Sequence, residues 1–186
     1  MVWVIGDDSQ SGAYVLHIVV RTCTDVAFGR YNTGRPAHVP AAEYVYVGSA
    51  MGGRGAASLG NRLLRHAARS TGRPPHPIQS EMMECFRNAG LYASAGAWKT
   101  VKWHVDYLLE RLEVELADVL AVRSRKRLEP VIANWLAADK RFSELLPGLG
   151  ASDTPGQTHL LRIVGGTRTW TEWLELRRPV LAPGRA

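Results

Sequence analysis

The chain is poor in cysteine. Two residues, Cys23 and Cys85, stand among 186, which leaves no disulfide framework and neither CxxC redox nor metal spacing. Both are expected to be thiols in a reducing, cytoplasmic setting. Long apolar runs are missing as well, since no stretch approaches the roughly 18 residues of a membrane helix. The opening "MVWVIGDDSQ" has no basic n-region and is too short and acidic for a signal peptide. No GK[ST] follows a glycine loop, so a P-loop is excluded. No internal repeat or low-complexity block breaks the chain.

What is present is a sufficient core and a basic balance. Apolar residues make up 46% of the sequence, enough for one globular domain with appendages. Lysine and arginine outnumber aspartate and glutamate by 23 to 17, a net charge of +6. Such a balance favours an anionic partner. Arginine predominates, at 54, 62, 65, 69 and 73 among other positions, and guanidinium groups suit bidentate phosphate contacts.

"GAYVLHIVVRT" (12–22) and "EYVYVGSA" (43–50) are β-branched and aromatic and read as strands. Alternation puts Tyr14, Leu16 and Ile18 on one face of the first, and Tyr44, Tyr46 and Gly48 on one face of the second. "DVAFGRYN" reads as a short strand before the turn-rich "TGRPAHVPAA". "SLGNRLLRHAARS" (58–70) carries Leu59, Leu63 and Ala67 at helical spacing. "STGRPPHP" (70–77) is a loop, because its prolines forbid regular structure. The spacing predicts an amphipathic helix over 78–93, with Ile78, Met82, Cys85, Phe86 and Ala89 on one stripe. "DVLAV" predicts another strand, and 127–146 a helix whose Pro130 is tolerated in the first turn. The tail "RRPVLAPGRA" is expected to fray. This order is an α+β pattern.

"GGRGAAS" raises the question of whose phosphate such a glycine loop faces. It is a near miss to GxGxxG, ending in Ser58 where the dinucleotide turn wants a small contact. About 20 residues on, "RPPHPIQSEMM" is no strand and offers no ribose-binding acid in place. The other reading is the phosphate of a nucleic acid strand.

The flanking motifs favour the strand. "GAY" (12–14), "YVG" (46–48) and "NRLLRH" (61–66) stand in the order of the GIY-YIG nuclease motifs. With "WHVDYLL" (103–109), "GLGASD" (148–153) and "HLLR" (159–162), the chain resembles the Uri-superfamily branch of that family over roughly residues 11–164. The resemblance implies a small, mainly antiparallel three-stranded sheet flanked by helices. The nuclease-like domain would span 1–166, with a helical insertion at 70–98 and a C-terminal extension at 167–186. Three departures are plain. The 70–98 segment is longer than the branch has, Thr154 and Gly156 stand where it carries cysteines, and Glu129-Pro130 replaces its Glu-Cys.

The resemblance also implies roles. Tyr14 would activate water, although a free phenol titrates near ~10 and needs a nearby cation to do so. Tyr46 would hydrogen-bond phosphate or water. Arg62 would stabilise the transition-state charge, with Arg65 a possible substitute, and His66, one helical turn on, would assist proton transfer. Gly48, Ser49, Arg65 and Arg69 would contact the nucleic acid. Glu129 would hold Mg²⁺ or Mn²⁺, hard ions that take oxygen ligands; otherwise it complements a helix N-terminus. His104 and Asp106 would pair if extended, or Asp106 would cap a helix. No spacing gives Asp153 or His159 a role. The expected function is a metal-dependent endonuclease acting on DNA, with a catalytically silent nucleic-acid-binding module as the alternative.

Overall fold

A computed structural model of the protein describes residues 1–70, 72–94, 99–150 and 157–182. The chain begins with β1 (Val2–Gly6), β2 (Gly12–Val20), a β3 (Thr24–Val26) and β4 (Ala37–Val39) ribbon, and β5 (Ala42–Ala50). Three helices follow: α1 (Leu59–Ala67), α2 (Gln79–Asn88) and α3 (His104–Leu109). Then come β6 (Val114–Arg123), α4 (Glu129–Ala137), β7 (Phe142–Glu144), β8 (Leu160–Ile163) and α5 (Thr167–Leu181).

Six strands form one sheet in the order β1-β6-β2-β5-β8-β7. Only β1 and β6 run parallel; the other neighbours are antiparallel. The expected three-stranded antiparallel sheet is therefore corrected to a six-stranded mixed one, with five α-helices among the described residues. The strands left out were β1, β7 and β8. They have five, three and four residues, too short to show a period by themselves, and their neighbours supply the pairing that fixes them.

Alternation along β2 and β5 divides the core in two. Tyr14, Leu16, Ile18, Tyr44 and Tyr46 face a cluster with α1, α2 and α3. Ala13, Val15, Val45 and Val47 face the other way, against Ile132 and Leu136 of α4 and Trp170, Trp173 and Leu174 of α5. Helices thus cover both faces, as a sheet apolar on both sides requires.

Other boundaries moved for local reasons. The predicted helix 127–146 stops at Ala137, because Asp139 turns the chain by bonding the Arg141 main-chain N–H and guanidinium, and Phe142 enters the sheet. Ala37–Val39, expected as turn, pairs with β3. The expected frayed tail is helical up to Leu181, because Trp170 and Trp173 anchor α5. Within 70–98, α2 buries Ile78, Met82 and Phe86 as the stripe predicts, while Cys85 is only half-buried.

One glycine fixes the geometry that follows. Tyr14 lies opposite Gly48 in the β2–β5 register, and a Cβ on Gly48 would sit 2.4 Å from both Cζ and the hydroxyl oxygen of Tyr14. The ring occupies the space of the missing side chain. Gly48→Ala is expected to lose about 1–3 kcal/mol of stability through overpacking, measured by urea denaturation. A wild-type midpoint would show that the ring can move aside.

Candidate functional site

Where β2, β5, α1 and α3 meet, Tyr14, His66 and Asp106 form a buried chain. The Tyr14 hydroxyl donates to His66 Nε2 (2.9 Å), and His66 Nδ1 donates to Asp106 Oδ1 (2.8 Å). Tyr14 is 1% exposed; His66 and Asp106 are fully buried. Asp106 also closes the start of α3, its Oδ2 accepting the main-chain N–H of Trp103 (3.0 Å) and Lys102 (3.1 Å). Asp106 therefore caps the helix and pairs with a histidine, but with His66 rather than His104. His104 Nδ1 accepts from Gly150 N instead (3.0 Å).

Charge settles the tautomer. Burial opposes ionisation of Asp106, but the hydrogen bond from His66 and the Lys99 charge hold it well below the usual carboxylate range. Burial lowers the pKa of His66, outweighing the bond from Asp106. A neutral imidazole donating from Nδ1 leaves Nε2 as acceptor for the phenol. Lys99, with a fully buried side chain, lies 3.1 Å from Glu110 and 3.9 Å from Asp106. Its charge helps to keep Asp106 ionised.

Tyr14 and Tyr46 are both raised above their ordinary values, chiefly by burial, with Arg62 acting against it in each. A cation does stand nearby, as water activation demands, but burial wins. Tyr14 is a protonated phenol.

On the surface side, Trp103 holds two arginines. The Arg62 and Arg65 guanidinium carbons lie 4.2 Å and 3.7 Å from its ring centroid, within cation–π range. Arg62 donates to the Ser49 carbonyl (3.1 Å). Among the described residues, Arg62 Nε and Arg65 Nε and Nη2 find no hydrogen-bond partner, and neither side chain joins an ion pair. Two guanidinium groups thus share one indole without a carboxylate between them.

Glu129 sits in the first turn of α4, next to Pro130. It accepts a bond from the Ser49 hydroxyl and faces His159 Nδ1 at 3.2 Å. Burial opposes its charge, but the His159 and Ser49 hydrogen bonds and the His159 charge hold its pKa below the ordinary value. An ionised carboxylate with lone pairs beyond those two bonds fits a Mg²⁺ that keeps most of its waters. Among the described residues no group of three or more His, Cys, Asp or Glu gathers as a metal cage.

The fold thus brings together Tyr14, Tyr46, Gly48, Ser49, Arg62, Arg65, His66 and Glu129 at one end of β2 and β5. Arg69 is drawn away: its guanidinium donates to the carbonyls of Val114 (2.7 Å), Pro74 (3.2 Å), Leu109 (3.3 Å) and Arg111 (3.4 Å). Asp153 lies outside the described residues. Trp103 and Lys99 were not anticipated. The signal for Trp103 was its place before "HVD", at the start of a helix carrying a buried acid; nothing in the sequence pointed to Lys99.

Comparison with known proteins gives one match. A family model described as "Domain of unknown function DUF123" matches residues 13–177. No curated protein and no solved structure matches the chain. The match is to this family and not to the GIY-YIG nucleases, so the resemblance drawn from the motifs is corrected. "GAY", "YVG" and "NRLLRH" sit together for reasons of packing: the Tyr14 ring against Gly48, and its hydroxyl on His66. No helix among the described residues is long and apolar enough to cross a membrane.

Proposed function

The chain belongs to the family of the domain of unknown function DUF123, and from the chemistry of the site we propose that it hydrolyses phosphodiester bonds in nucleic acid, with DNA as the strand. One observation carries this reading. Arg62 and Arg65 hold two like charges on one indole, with no acid paired to either. A phosphate placed beside the pair relieves the repulsion between the two charges, and is held more strongly as its own charge grows in the transition state.

Beside that anion site the Tyr14–His66–Asp106 chain supplies a base. Neutral His66 takes the phenol proton at Nε2 while Tyr14 takes one from water, and Asp106 stabilises the imidazolium, the logic of a nucleophile activated through an oriented histidine. The water oxygen bonds to phosphorus as the bond to the leaving oxygen breaks, the leaving oxygen takes a proton from solvent, and His66 releases its own to solvent to return to the neutral form. Glu129 would hold Mg²⁺ or Mn²⁺, which supplies charge neutralisation on the phosphate when bound.

A second reading has its own observation. The Tyr14 hydroxyl is sealed and bonded, as it would be in a structural cross-link, which favours a catalytically silent nucleic-acid-binding module. Labelled DNA and RNA substrates incubated with Mg²⁺, Mn²⁺ or chelator separate the two. Metal-dependent cleavage is expected, reduced about 10²–10³-fold in Arg62→Ala and lost in Glu129→Gln with circular dichroism unchanged. Binding without cleavage in every metal supports the silent module, and neither binding nor cleavage overturns both.

A further inference from the structure

A groove of about 380 Å³ lies beside α1, and its lining includes Arg65, Arg69, Arg73, Gln79, Tyr92 and Ser94. Arg65 belongs both to this groove and to the pair on Trp103, so the groove opens directly from the candidate site. Tyr92 is 58% exposed, which alone would mean nothing. Its main chain, however, is fixed from several sides. The Tyr92 N–H donates to Gln10 Oε1 (2.7 Å), and Gln10 Nε2 donates to the carbonyl of Gly90 (2.9 Å). Two residues on, Ser94 N–H donates to Asn61 Oδ1 (2.8 Å). The Tyr92 carbonyl oxygen presses so close to α1 that a Cβ on Gly60 would lie 2.4 Å from it. A rigid backbone therefore presents a free aromatic ring at the edge of an arginine-lined groove.

Charge supports an anionic occupant. Arg65 lines the groove with no carboxylate paired to it, and Arg73 is exposed, with one bond to the Glu110 carbonyl (2.9 Å). Glu110, the acid bonded nearby, is already taken by Ser70 and Lys99. A polyanion that also offers flat apolar faces is a nucleic acid strand, and those faces are open to a side chain only when the bases are out of a duplex.

We propose that this groove binds a single-stranded segment flanking the reacting phosphodiester, with one base stacked on Tyr92 and neighbouring phosphates against Arg65 and Arg73. The proposal rests on the reading of the site as one that acts on nucleic acid. Fluorescence anisotropy on the full chain tests it, with labelled oligothymidylate and oligouridylate about 12 nucleotides long, within the span such grooves cover, and a blunt DNA duplex of equal length. Tyr92→Ala is expected to weaken single-strand binding about fivefold or more, the loss of one stacked base, with its melting temperature unchanged. Tyr92→Phe keeps the ring and retains the affinity, and duplex binding does not follow the alanine variant. Equal losses on the two oligonucleotides identify the stacked base as the recognised group; a loss on one alone shows which of the two strands the groove accepts. Wild-type affinity in Tyr92→Ala overturns the groove assignment while leaving the reading of the site intact. An equal loss in Tyr92→Phe, or on the duplex, overturns it as well. A wild-type protein that binds the duplex but neither single strand overturns the groove assignment alone, and one that binds none of the three sinks both.

Discussion

Replacing His66 with alanine is expected to lower the unfolding free energy by about 3–5 kcal/mol, the cost of removing one partner from a buried pair. The reason is geometric. His66 stands between a phenol and a carboxylate, all three sealed, and its loss strands Asp106 as a charge that retains only Lys99 and main-chain donors. Tyr14→Phe removes a single hydroxyl and leaves one imidazole nitrogen unpaired, which costs about 1–3 kcal/mol. Urea denaturation of both variants measures the difference. If the alanine variant is no less stable than the phenylalanine one, the Asp106 charge is satisfied without His66 and the tautomer assignment fails.

Mild acid is expected to destabilise the protein well before carboxylates titrate. His76, fully buried, donates from Nε2 to the Leu109 carbonyl (3.0 Å) and accepts at Nδ1 from Leu116 N–H (3.1 Å). Both bonds require the neutral ring, since a proton on Nδ1 would face another donor. Burial, and then the Arg69 charge, push its pKa down to about 3; burial pushes His66 in the same direction. Unfolded histidines titrate near ~6.5, so below that pH the unfolded chain binds protons that the folded chain refuses. Their stabilising effect is complete above ~6.5 and declines as pH falls toward the folded values, by about 1.4 kcal/mol per pH unit for each histidine in that interval. Urea midpoints between pH 7 and pH 5 read this slope, and His76→Gln should remove one proton from it. A slope unchanged in that variant would mean that His76 already carries a proton in the fold.

The strands β2 and β5 and most of the helical segments were legible because their patterns are local. β2 and β5 have nine residues each around runs of β-branched and aromatic side chains, and α1 shows its leucines at helical spacing. The site residues on those elements could be named for the same reason. Their partners could not. His66 meets Asp106 across 40 positions and Ser49 meets Glu129 across 80, and no local period encodes which acid a histidine finds. The motif order "GAY", "YVG", "NRLLRH" named residues that the fold does bring together, while the family it pointed to is not the one that matches. Three short motifs fix a local arrangement of rings and glycine; they do not fix the number of strands around it. Arg69 shows the opposite failure: one arginine among several in the sequence, it became a clamp on four carbonyls because the chain turns back on itself there.

The parallel pairing of β1 with β6 bears on how the protein is made. β1 is synthesised long before β6, and Val2 has no strand partner until Val119 exists. Throughout that interval "VWVI" is an apolar segment with both edges open, the kind of surface on which nascent chains associate. The antiparallel β2–β5 pairing needs only nearby sequence and can form early, while β1 must wait for β6 to dock on β2 before it can join the far side. Pairing between such distant segments is slow. β1 is made well before the strand it pairs with, and the yield of folded protein depends on keeping it from other chains until then.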